Sequence, residues 1–141
     1  QIEKALPKMI DHIAHNPNWE QGMAGSVYTG MSLLPDTIDG NMIVLGDMPL
    51  LTTHTLNQLI EQFCIHDGKQ IIYPVYSGEQ ANPVIFPRKY FSEILSSTGD
   101  RGCKKVLNQY PDDAIGISID SEEVILDCDN KDDYYSILSK I

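Results

Sequence analysis

Positive charge is scarce in this sequence: 10 Lys and Arg stand against 20 Asp and Glu in 141 residues, a formal net charge of −10. Such a surface repels a phosphate backbone, and no basic stripe interrupts it, so nucleic acid is not expected as a partner. The same imbalance makes a small polyphosphate ligand awkward unless a cation mediates, and any phosphate chemistry here should be metal-assisted. Long apolar runs are missing as well. No stretch approaches the roughly 18–20 residues that span a bilayer, and the start, "QIEKALPKMIDHIAHNPNWE", has neither the basic head nor the apolar centre of a signal peptide. The expectation is a soluble, cytoplasmic protein with no membrane partner. Cysteine is sparse: Cys64, Cys103 and Cys128 are odd in number and widely spaced, which suits reduced packing residues better than a disulfide framework. Cys64-x-His66 has no second pair at zinc-ligand spacing, and His12, His15 and His54 are scattered. A Gly-x-Ser-x-Gly elbow and a Walker loop are both absent.

What is present is one domain's worth of core, 42% hydrophobic composition arranged in alternating strand and helix patterns. Ile2, Leu6, Met9, Ile10 and Ile13 recur at helical spacing and predict a helix over 2–15. "NPNWEQGMAG" reads as a loop, with a helix from about Ser26, whose hydroxyl can cap it. Residues 42–46 read as a strand. "TTHTLNQLIEQF" offers threonine caps followed by Leu56, Leu59, Ile60 and Phe63 on one helical face. "QIIYPVY" is the next strand and "NPVIF" follows a short polar loop, with Pro87 placed to open a helix through "RKYFSEIL". "TGDRG" is a turn, "CKKVLNQY" a helix, "IGISI" and "EVILDCD" strands that could form a hairpin or two edges, and "KDDYYSILSKI" a closing helix. The alternation predicts an α/β domain with a mixed, partly parallel sheet.

One strand ends unexpectedly. "MIVLGDMPLLT", residues 42–52, is apolar until Asp47, which lies between Gly46 and Met48-Pro49. In open α/β sheets ligands bind beyond the carboxyl ends of strands, and Pro49 stiffens this exit. A carboxylate there can face a cleft, where magnesium takes one or two carboxylates with phosphate oxygens and water. It can equally cap the turn into the following helix. A second acidic segment, "LDCDNKDDY", has Asp127 and Asp129 two residues apart; if extended, both project to one face and could complete a metal site. Asp129 or Asn130 could instead cap the last helix. The segment is not a calcium loop: Lys131 stands where an oxygen ligand is wanted, Asp132 where glycine belongs, and Leu138 in place of the closing glutamate.

Four segments in matching order and spacing, "NPNWEQGMAGSVYTG", "IVLGDMPLLT", "ANPVIFPRKYFSEILSSTGDRG" and "LDCDNKDDY", resemble the molybdenum cofactor cytidylyltransferase family, within the MobA-like nucleotidyltransferases, over nearly the whole chain. The resemblance implies a three-layer, Rossmann-like nucleotidyltransferase domain over 1–141 with a mixed, mostly parallel sheet. It also implies that CTP and Mg²⁺ meet the terminal phosphate of molybdopterin, with pyrophosphate leaving. The family's first strand and its glycine-rich, Arg- and Lys-containing triphosphate loop have no counterpart here, so the expectation is the carboxyl-terminal portion of a longer enzyme, inactive in isolation.

By the same resemblance Asp47 matches the aspartate of "LGDMP", the catalytic metal ligand, and Asp127 and Asp129 match a "DID" segment beside the ion. Gly25 and Ser26 match a loop near the nucleotide base, although Ala24 stands where glycine is usual; a serine there is also an ordinary cap. Asn82 and Pro83 match a motif on the pterin-facing side, after an Ala81 where glycine is usual. Arg101, in the "GDRG" turn, could bind a substrate phosphate bidentately or simply be solvated. Three functions follow from the resemblance: cytidylyl transfer to molybdopterin, a non-catalytic accessory role toward a molybdenum hydroxylase that receives the cofactor, or nucleotidyl transfer using GTP or a sugar or polyol phosphate.

Overall fold

The computed structural model describes residues 10–96 and 102–140. In chain order its elements are α1 (Met23–Met31), β1 (Gly40–Ile43), α2 (Thr53–Ile65), β2 (Ile71–Tyr76), β3 (Glu79–Gln80), β4 (Val84–Pro87), α3 (Phe91–Ser96), α4 (Gly102–Gln109), β5 (Ala114–Ser118) and α5 (Lys131–Leu138). They divide between two compact units, Gln1–Ile38 with Lys89–Gln109, and Asp39–Arg88 with Tyr110–Ile141.

In the first unit α1, α3 and α4 pack on one another. Buried Met31 on α1, Ile94 on α3, and Val106 and Leu107 on α4 supply apolar surface from each helix. The helix expected over 2–15 lies partly outside the described residues; from 10 to 15 there is no regular structure, and Ile10 and Ile13 are exposed, so their spacing finds no apolar surface to cover. The next helix starts before Ser26. Gly22 is its N-cap, and Ser26 lies inside α1.

The second unit holds the sheet and the candidate site. β4 lies between β1 and β2, running antiparallel to both, and β2 also pairs antiparallel with β3 and parallel with β5. The sheet is therefore mixed, but among the described strands antiparallel pairing dominates, against the expectation of a mostly parallel one. The reason lies in the connections. β2, β3 and β4 follow each other through links far shorter than the dozen or more residues a parallel crossover needs. Ser77 and Gly78, at φ +51° and +85°, turn the β2–β3 hairpin with Tyr76 opposite Glu79. Pro74 lies beyond the single β4 register Ile72↔Ile85; it stays opposite Ile117 in the ladder to β5, and its carbonyl accepts from the Ala81 amide at 2.9 Å.

Thr52 caps α2, its Oγ1 accepting from the Thr55 amide at 3.3 Å. Gly68, at φ +64°, closes the far end with its amide on the Phe63 carbonyl. Between these caps Leu59 is fully buried and meets Ile72 of β2 and Ile85 of β4, with Met42, Phe63, Ile115 and Ile117 around them. Burying one such side chain contributes about 1.5–3 kcal/mol. This fixes α2 on one face of the sheet, with the loop from β1 at its amino-terminal end. Ile60, expected on the same face, is 46% exposed.

Two further expectations are corrected. Pro87 ends β4, opposite Gly40 of β1, and a 3-10 turn over Arg88–Tyr90 precedes α3. "EVILDCD" is not a strand, so there is no hairpin with 115–118: Glu122–Val124 form a 3-10 turn and the chain is irregular from there to α5. Glu123 and Val124 are both buried, and two consecutive residues cannot point into one core from a strand, whose side chains alternate.

Candidate functional site

The site grows from the segment after β1. Past Ile43 the chain leaves the sheet through Val44, Leu45 and Gly46 to Asp47, and Met48, 8% exposed, anchors the far side. Asp47 is half-buried, and its Oδ1 is a fully buried oxygen with no hydrogen-bond partner. A buried carboxylate oxygen without a donor costs free energy, so such an atom calls for an explanation, and a cation is one that carboxylate oxygens accept readily.

The second acidic segment comes to the same place. The Cys128 amide donates to the Asp47 carbonyl at 2.8 Å, which holds residues 127–129 alongside the loop that carries Asp47. Asp127 and Asp129 are both exposed. The segment is not a strand, so the expectation that alternation would aim both carboxylates at one face has no strand to act through. Nor does Asp129 cap α5. Asn130 does so, its Oδ1 accepting from the amides of Asp132 and Asp133 at 2.8 and 3.0 Å, while Asp133 accepts in return from the amides of Asp129 and Asn130. The two carboxylates are thus released from the capping role. Among the described residues no three Asp, Glu, His or Cys side chains stand close enough to form a metal cage on their own. Asp47 with one of its neighbours would leave most coordination positions to phosphate oxygens and water, as magnesium ordinarily does.

Asn82 and Pro83 meet the same stretch through Val124. The peptide between them is cis, the Asn82 amide donates to the Val124 carbonyl at 3.1 Å, and Pro83 is fully buried. Val124 itself is fully buried against Ala81 and Ile119, with Leu51, Tyr76 and Ile117 around them. The stretch 119–128 therefore works as a strap. It is tied to β2 through the Ile119 amide and Val75 carbonyl, to Asn82 through Val124, and to Asp47 through Cys128.

Sequence reasoning missed the buried member of this strap. Glu123, 8% exposed, accepts at Oε1 from Thr52 Oγ1 at 3.0 Å and from Thr55 Oγ1. Both threonines lie at the amino-terminal end of α2, 71 and 68 residues away in sequence. The available signal was a glutamate leading into an apolar run, together with the pair of threonines already legible as caps.

Gly25 and Ser26 belong to the first unit. Asn16 Nδ2 donates to Ser26 Oγ at 3.1 Å, and Asn16 Oδ1 accepts from the Asn18 amide at 2.9 Å, which shapes the loop that precedes α1. Ser26 Oγ is the acceptor in that bond, which leaves its own proton unused there. A Cβ on Gly25 would approach Asn16 Nδ2 to 3.3 Å, a tight contact that the Asn16 side chain would have to yield slightly to admit. Arg101 lies outside the described residues, and Gly102 opens α4.

A family model described as the MobA-like NTP transferase domain matches residues 1–114. The chain is 25% identical over 122 residues to the molybdenum cofactor cytidylyltransferase of Escherichia coli K12, an alignment that covers 86% of this chain and 59% of that protein. Among solved structures it is similar to Rv0371c of Mycobacterium tuberculosis H37Rv, with a TM-score of 0.73 and 25% identity over 84% of this chain and 60% of that one. It is similar also to a manganese complex of Rv0371c, with a TM-score of 0.71 and 25% identity over 82% of this chain and 61% of that one. The chain thus spans about 60% of the length of the relatives it matches.

Proposed function

We propose, from the premise that this chain belongs to the MobA-like NTP transferase domain family, that the protein is a nucleotidyltransferase of molybdenum cofactor biosynthesis, passing CMP from CTP to the phosphate of molybdopterin and releasing pyrophosphate. The observation that carries this reading is the orphaned Asp47 oxygen at the exit of β1, beside a backbone-tied acidic segment. The donor set fits a hard divalent cation. Asp47, with Asp127 or Asp129, would hold Mg²⁺, which when bound supplies neutralisation of the charge on the phosphoryl oxygens. A relative with this fold has been crystallised with manganese, which supports a divalent ion of that class.

The remaining roles fall to the chain's own groups. The Ser26 hydroxyl, already an acceptor from Asn16, has its proton free to donate to an exocyclic or ring acceptor of the base, and Gly25 lets the backbone approach. Asn82 and Pro83 form the wall facing the pterin. Arg101 pairs with a substrate phosphate, for which a planar guanidinium is suited. The assay that decides is titration of the full-length protein with CTP and with GTP in Mg²⁺, followed by labelled nucleotide transfer to molybdopterin. Saturable CMP transfer is expected. Transfer of GMP alone would replace the cytidylyl reading with a guanylyl one. Cofactor binding without nucleotide binding would make the protein an accessory to a molybdenum hydroxylase.

A further inference from the structure

Glu123 is a buried carboxylate that no step above uses. Its surroundings are specific: Oε1 takes the hydroxyl protons of both Thr52 and Thr55, and Thr52 Oγ1 at the same time caps α2 by accepting from the Thr55 amide. Thr52 lies five residues beyond Asp47, and Glu123 lies five before Cys128, whose amide binds the Asp47 carbonyl. Two ties thus close a ring of chain, with Glu123 to α2 at one end and Cys128 to Asp47 at the other. Two buried hydroxyls at a helix amino terminus need an acceptor oxygen, and Glu123 Oε1 supplies it to both. With the Glu123 tie cut, the stretch would keep its hydrogen bonds to Asn82 and to Asp47 but lose its hold on the start of α2.

We infer that Glu123 is a positioning residue: by accepting both threonine hydroxyls it locks the 119–128 strap against the start of α2, and so holds the acidic segment 127–129 in register with the orphaned oxygen of Asp47. The inference rests on the metal reading of Asp47 proposed above. It assigns Glu123 no contact with metal or substrate. The carbonyl oxygen of a glutamine can accept the same two protons, so Glu123→Gln preserves the lock, whereas Glu123→Ala removes it and leaves two hydroxyls without their acceptor.

The test uses the complete protein and Mn²⁺ alone as the probe. Affinity is measured by calorimetry, and exchange of the Cys128 amide by NMR or mass spectrometry. Glu123→Ala should weaken Mn²⁺ about tenfold or more, the scale on which residues supporting a metal ligand act, and should speed Cys128 exchange. Glu123→Gln should restore both to near the parent values. Thr55→Val, which removes one of the two hydroxyls without changing shape, supplies a milder form of the same loss should the alanine variant not fold. Asp47→Asn should abolish Mn²⁺ binding while the Cys128 amide stays protected, since its acceptor is the Asp47 backbone. Unchanged Mn²⁺ affinity in folded Glu123→Ala or in Thr55→Val, alongside an Asp47→Asn variant that has lost the ion, overturns the positioning role and leaves the Asp47 site standing. A glutamine variant as impaired as the alanine one overturns it too, because charge and not hydroxyl acceptance would then be at work. Unchanged affinity in Asp47→Asn removes the metal site itself, and the positioning role with it.

Discussion

Replacing Asp47 with asparagine has opposite consequences with and without metal, and that opposition makes it a sharp test of the site. In metal-free protein the parent carries a carboxylate oxygen that is buried and unpartnered. Leaving a buried polar group unsatisfied costs about 1–3 kcal/mol. Asp47 is only half-buried, so water still reaches part of the group, and the lower end applies, about 1 kcal/mol. Asparagine keeps the shape and still buries a polar atom but removes the charge, so in the presence of a chelator the variant should be more stable, by at most about 3–4 °C in melting temperature for a chain of this size. With Mn²⁺ or Mg²⁺ at about 100 times its Kd the parent should gain about 2.7 kcal/mol from linkage and the variant nothing, which reverses their order. Differential scanning calorimetry on both proteins, with chelator and across a metal titration, reads all four states. A variant that melts below the parent in chelator, or one that responds to metal as the parent does, refutes the assignment and makes Asp47 a structural turn residue.

Leu59→Ala should cost about 2–5 kcal/mol in urea unfolding, because the side chain is wholly buried between β2 and β4; a loss under about 1 kcal/mol would mean that this core can collapse around the gap. Ser26→Ala should weaken CTP binding by one hydrogen bond, about 0.5–1.5 kcal/mol, and leave the metal response intact; a fall in melting temperature with unchanged affinity would confine Ser26 to its bond with Asn16. Burial pushes the Cys103 thiol above its ordinary range, whereas Cys64 is exposed, so iodoacetamide at about pH 8.5 should label Cys64 first. The sign follows from a folded-state pKa raised over the unfolded one: the stability of the neutral thiol is present below the ordinary thiol pKa and fades as pH rises through the raised value. Equal labelling rates by mass spectrometry would contradict this.

Local chemistry explains what the sequence determined without help. Thr52 caps α2 because a hydroxyl beside free amides needs no distant partner, and Asn130 caps α5 within four residues of chain, although the sequence left Asp129 as an equal candidate. Strand β2 and the helical face around Leu59 follow from apolar periodicity, and Asp47 stands out because a charge ends an apolar run. The tertiary structure decided everything that depends on two segments meeting. "EVILDCD" has the composition of a strand, yet Val124 has a pocket against Ala81 and Ile119 while Glu123 has threonines from α2, and serving both at once requires a turn. Periodicity records which residues seek burial; it does not carry the position of their partners. The orphaned oxygen of Asp47 and the amide that ties Cys128 beside it are facts of that second kind, since burial and hydrogen bonding between residues 81 apart exist only once the chain has closed on itself.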